Sequence, residues 1–104
     1  MNKMNQQKHA PSYPNARQIR RACSKELYRT IKRLGKWIAP NLVEQAETLY
    51  FKKVALNLPW IYENSSNRKV LADWWEENVC PEIAVLWNVE PAALGKAFRD
   101  AFGG

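Results

Sequence analysis

Arg17, Arg21, Lys25, Arg29, Lys32, Arg33 and Lys36 recur at spacings of three or four, with Lys32 and Arg33 adjacent. Such spacings stack side chains along one side of a helix. Residues 16–38 carry eight basic side chains against Glu26 alone, a local charge of +7 in a chain whose total is +6. Each like-charged pair one turn apart costs up to roughly 0.5 kcal/mol. A run of them therefore points to an anionic partner that relieves the repulsion. Nucleic acid fits, because each neutralised phosphate releases condensed counterions. Arginine outnumbers lysine five to three in this run, and its planar fork matches phosphate geometry. These seven residues are the expected phosphate contacts. Three other readings compete. The run is a solvated face, paired within the molecule to residues 68–104, whose charge is −2. It docks on an acidic protein. Or it lies on an anionic membrane, with Trp37 and Ile38 at the interface. The membrane reading asks one apolar face to serve both the lipid and the other helices.

The residues that carry catalysis in small proteins are missing or badly placed. No Gly-rich phosphate loop, HExxH, GxSxG or Cys-His pair occurs. Asp73, Glu76 and Glu77 share one helical face, where three carboxylates read as a wet exterior rather than as an acid-base pair. Cys23 and Cys80 form no CxxC pair, and His9 is the one histidine. No metal site, cofactor or catalytic residue is expected, and the two cysteines read as buried free thiols. Apolar runs fall short of the roughly 18 residues that span a bilayer. The opening MNKMNQQKHAPSYPNA has no apolar stretch of the secretory kind. The expectation is a cytoplasmic protein without a membrane partner.

Several elements must position these residues. Residues 1–14 are polar, hold Pro11 and Pro14, and read as a disordered arm. Residues 15–104 read as one helical domain. Asn15 with Gln18 is a capping box, and Ile19, Cys23, Leu27, Ile31, Leu34 and Ile38 form one apolar stripe, giving a basic amphipathic helix over 15–38. Gly35 sits near its close, and Pro40 forces a stop. Asn41 with Glu44 repeats the capping signal and opens a helix over 41–57. LNLPWIYENSSN reads as a loop, with Trp60, Ile61 and Tyr62 folding back on the core. The Ser65-Ser66-Asn67 cluster caps a helix with Leu71, Trp74, Trp75 and Val79 inward. The Trp74-Trp75 pair with Trp60 also suggests a stacking platform for bases, but its phase with Leu71 and Val79 favours core packing. Pro81 and Pro91 open two short helices, and Gly103-Gly104 ends the last. The fold class is all-α, a small bundle of about five helices whose segment 67–104 ends in a helix-turn-helix-like trihelical unit.

The stretch EIAVLWNVEPAALGKAFRDAFGG meets four spacing demands of a helix-turn-helix. Ala84 is the small residue at the helix crossing. Four positions later Asn88 tolerates a left-handed turn. Val89 plugs the turn, and Leu94 and Ala97 seat the second helix. With Ile83, Ala84, Val89, Leu94, Lys96, Phe98, Arg99 and Gly103 in register, residues 83–103 resemble the helix-turn-helix of AraC-type regulators. The resemblance implies a recognition helix in the major groove, with Ala92, Ala93, Lys96 and Arg99 as base-reading candidates and Asp100 beside them. Glu90 stands where that family carries a Ser or Thr cap, and the family's linker helix and second motif have no counterpart here.

Together these features lead to one expected function. The chain is a small, non-enzymatic nucleic-acid-binding protein, a transcriptional regulator or mobile-element accessory factor. Its partner is DNA, or RNA, and a lone motif of this kind points to a two-fold homodimer. The competing expectation is a helical interaction module that grips an acidic surface on a larger protein and modulates it.

Overall fold

Asn15 opens the first helix as its sequence implies. Its side-chain oxygen accepts from the Gln18 N–H at 2.8 Å, and its own N–H donates to Gln18 Oε1 at 2.9 Å. The computed structural model describes residues 13–104. The expected arm lies outside the described residues except at its end, where Tyr13 sets its ring edge-on to Tyr62, 5.0 Å between centroids. Helix α1 spans Ala16–Leu34. It stops short of the expected boundary at residue 38 because Gly35 takes the left-handed conformation at φ +70°, with its N–H on the Ile31 carbonyl. Glycine adopts that backbone without strain.

Helix α2 spans Pro40–Leu56, and the expected Asn41 capping box does not form. Proline fits the first turn, since it needs no N–H partner there and its φ is already helical. Ala39 therefore becomes the cap, and Asn41 lies inside the first turn. The segment expected as a loop contains a short helix, α3, over Leu58–Glu63. Too short to turn a full face inward, it leaves Trp60 and Tyr62 exposed instead of folded onto the core, while Leu58 and Ile61 are half-buried. Helix α4 (Arg68–Asn78) is capped by the Asn67 side chain, which accepts from the Val70 N–H. Helices α5 (Cys80–Trp87) and α6 (Pro91–Phe102) follow, each with proline in its first turn. The described residues thus form six helices and no strand, a small all-α bundle.

One apolar cluster joins the helices. Leu27 is fully buried, with Ile19 and Cys23 on the same stripe of α1. Thr30 joins this stripe by donating its hydroxyl to the Glu26 carbonyl at 2.7 Å, so it enters the core with its donor satisfied. Trp75 of α4 stacks on Phe98 of α6 at 3.8 Å with rings nearly parallel, and Tyr50 of α2 sets its edge against both. Aromatic area of this kind carries much of the stability of a small core. Helices α1 and α6 pack most extensively. They run antiparallel: Lys36, just past α1, reaches the turn before α6, while Gln18 and Ala22 lie beside Ala101 and Phe102. Trp87 donates its indole N–H to the Leu42 carbonyl at 3.0 Å, fastening α5 to the start of α2.

Truncating the centre of the α1 stripe tests this packing. Leu27→Ala should cost about 2–5 kcal/mol. Thermal denaturation followed by circular dichroism should show a melting point lower by roughly 10 °C or more.

Candidate nucleic-acid interface

Burial of one side of α1 leaves the other for the cations. Arg17, Arg21, Lys25, Arg29, Lys32 and Arg33 are all exposed. At 3.6 residues per turn they occupy an arc of about 160°. Lys36 departs from the expected stripe. It follows the Gly35 break, and its ammonium donates to the Asn88 carbonyl at 3.3 Å. Arg20, the cation nearest the apolar face, lays its guanidinium over the Phe51 ring at 4.7 Å. Among the described residues no α1 cation lies within ion-pair distance of a carboxylate. Residues 1–12 contain no Asp or Glu, so they hold no acidic side chain to supply one.

Four of the six acids of residues 68–104 pair with cations outside α1. Asp73 and Glu76 hold Arg99, Glu82 holds Lys53, and Asp100 holds Lys96. Among the described residues no ion pair joins the basic helix to the acidic end of the chain. Glu26, the one acid on α1, faces inward and accepts from the Tyr50 hydroxyl at 3.0 Å. Burial pushes its carboxyl above the ordinary glutamate value, while the Tyr50 hydrogen bond and the charges of Arg68, Arg29 and Lys25 pull it back. Burial, with Glu26 beside it, likewise raises the Tyr50 phenol well above its usual range.

A groove of about 450 Å³ runs between α1 and the end of α6. Arg21, Lys25 and Arg29 line one side, and Arg68 of α4 joins them across the gap, with Ala22 and Phe102 on its walls and the Glu26 carboxylate also lining it. Arg68 is fixed in place. Its guanidinium stacks over Phe102 at 4.3 Å and donates to the Phe102 carbonyl at 3.2 Å. A pre-set guanidinium loses little freedom on meeting an oxyanion. Sequence periodicity gives no hint of Arg68, because its place beside α1 is set by the docking of α4 and α6.

The turn before α6 has the local geometry that its spacing implies. Asn88 is left-handed at φ +54°, and the Val89 N–H closes on the Ala84 carbonyl at 3.0 Å. Ala84, Leu94 and Ala97 are buried. On α6, Ala92, Ala93 and Lys96 face outward, with Lys96 bonded to Asp100 at 3.1 Å. Arg99, the fourth base-reading candidate, is placed differently from the other three. Its guanidinium donates to Glu76 at 2.7 Å and also to Asp73, leaving its side chain 26% exposed. The Glu76 carboxylate lies close over Gly95, where a Cβ would fall 2.7 Å from its oxygen and displace the end of that side chain. The same contacts hold Arg99 above its ordinary pKa and Asp73 below its own.

The cysteines are free and buried, and burial raises their thiols to about 12 for Cys23 and about 11 for Cys80. Among the described residues no group of three His, Cys, Asp or Glu side chains is placed to hold a metal ion, and His9 lies outside them. No helix of the described residues is long and apolar enough to cross a membrane.

Two pH-dependent outcomes follow. Arg99→Met should lower the melting point by a few degrees near neutrality. Because Asp73 is held below its ordinary value of 3.8, the deficit should be full above that pH and shrink as pH falls beneath it. Glu26→Gln keeps an acceptor for Tyr50 and removes a buried charge. A raised carboxyl binds its proton more tightly in the folded state, so the wild type loses stability as pH rises above 4.5. The variant should match it at acidic pH and be the more stable at pH 7; melting curves across this range check both.

The chain matches no protein-family model, no curated protein and no solved structure.

Proposed function

We propose that this chain is a non-enzymatic nucleic-acid-binding protein that holds the phosphate backbone along α1. One observation carries the reading: six cations of α1 face outward and none forms an ion pair among the described residues, with Glu26 and Glu47 the two carboxylates near them, while the apolar side of the same helix is spent in the core. Mutual repulsion along the stripe is then relieved mainly by counterions, and a polyanion that displaces them gains their release entropy. Arg21, Lys25, Arg29 and Arg68 line one groove, four cations against the single carboxylate of Glu26, and form the phosphate cradle; Arg17, Lys32 and Arg33 extend the track. The membrane alternative is disfavoured by the same geometry, because an interfacial helix needs its apolar face for lipid.

Helix α6 contributes less than its resemblance to AraC-type regulators implies. With Arg99 clamped, its outward face offers two alanines and Lys96, and no free guanidinium fork of the kind that reads guanine. A regulatory role would then rest on backbone binding by α1 more than on base-edge contacts from α6.

Ionic strength gives the test. Affinity for a nuclease-free oligonucleotide, measured by fluorescence anisotropy, should fall with salt on a log–log slope of about −3 to −6. Replacing Arg21, Lys25 and Arg29 together by Gln should reduce that slope by about 2 to 3 while leaving the helical spectrum intact. An unchanged slope would remove α1 from the interface. Tighter binding to an acidic polypeptide of equal charge than to the oligonucleotide would favour docking on an acidic protein surface instead.

A further inference from the structure

Two large aromatic side chains stand among the cations rather than in the core. Tyr28 is 60% exposed in the middle of α1, and Trp37 is 78% exposed just beyond its end. By helical geometry Tyr28, Arg21, Lys32 and Lys25 fall within an arc of about 60°. The Lys32 ammonium lies over the Tyr28 ring at 5.2 Å, so the ring sits within the charged stripe itself. Neither aromatic belongs to the apolar cluster. Core packing therefore does not account for their placement beside the cations.

From this juxtaposition we infer that the partner of α1 is unpaired nucleic acid, with Tyr28 stacking on an exposed base while the flanking cations hold the phosphates on either side. The inference rests on the reading of α1 as a phosphate binder and adds the class of strand. A nucleotide joins a flat ring to an anion on one short scaffold, and this stretch of α1 offers the complement of both within one turn of helix. In a duplex the base faces are covered by their neighbours, so an aromatic ring on the phosphate track finds nothing to stack on. In a single strand each base presents a free face, and stacking tolerates every sequence. The commitment of Arg99 to Asp73 and Glu76 agrees with binding that does not depend on base edges. Trp37, exposed just past the helix end, follows Lys36, whose ammonium reaches the Asn88 turn, and offers a second ring beside a cation.

The discriminating experiment compares a labelled oligothymidylate with a hairpin duplex of equal phosphate number, at one salt concentration, with anionic phospholipid vesicles as a third probe. The wild type should prefer the single strand. Tyr28→Ala should weaken oligothymidylate binding about tenfold or more, leave duplex affinity and both salt slopes unchanged, and be rescued by Tyr28→Phe. Trp37→Ala should add a further loss on the single strand. Both side chains are exposed, so neither change should disturb folding, and melting curves verify this. Equal effects of Tyr28→Ala on both strands, or none on either, would overturn the stacking role while leaving phosphate binding standing. Failure to bind either oligonucleotide in dilute buffer would overturn phosphate binding and the inference together, and binding to vesicles alone would reassign the surface to lipid.

Discussion

The whole arrangement depends on the apolar stripe of α1 being consumed by the bundle. Ile19, Cys23, Leu27 and Thr30 are buried against α2 and α6, which fixes the rotation of the helix about its axis. Once that rotation is fixed, the cations have no inward option. Desolvating a charge costs several kcal/mol unless a partner meets it. Core packing and surface charge are thus two sides of one helix. A hydrophobic effect worth about 25 cal/mol per Å² of buried apolar area concentrates like charges that would otherwise spread apart.

The second organising contact is the aromatic stack of Trp75 on Phe98, edged by Tyr50. It sets α4, α6 and α2 around a common centre. From there it acts outward in two directions. Through the Tyr50 hydroxyl it holds Glu26, the single acid of α1, on the inner side of the basic groove that it lines. Through the docking of α4 on α6 it brings Asp73 and Glu76 to Arg99 and carries Arg68 to the edge of that groove. One packing event thereby removes an arginine from one surface and adds another to a different one.

Local rules were legible in the sequence, and their products stand where expected. The Asn15 capping box, the left-handed Asn88, the proline starts at Pro81 and Pro91 and the apolar phase of α1 all rest on interactions within a few residues. Competition between two local signals was harder to judge. Pro40 and Asn41 both offer a helix start, and the proline, one position earlier, takes precedence. The short α3 gave no periodic signal because six residues cannot establish one. Tertiary consequences were out of reach. An arginine on a helix face reads the same in sequence whether water or two carboxylates await it, which is why Arg99 looked available and Arg68 went unnoticed. Tyr28 was hidden for another reason: a single aromatic inside a basic stretch breaks no pattern until its exposure is known.

The depth of the two thiols has a consequence for the covalent life of the chain. Thiolates, not thiols, attack oxidants and disulfides, and at about 12 and 11 neither Cys23 nor Cys80 ionises near neutrality. The folded molecule should therefore pass between reducing and oxidising surroundings without forming mixed disulfides or cross-linked dimers, and its chemistry toward electrophiles should begin only when the bundle opens.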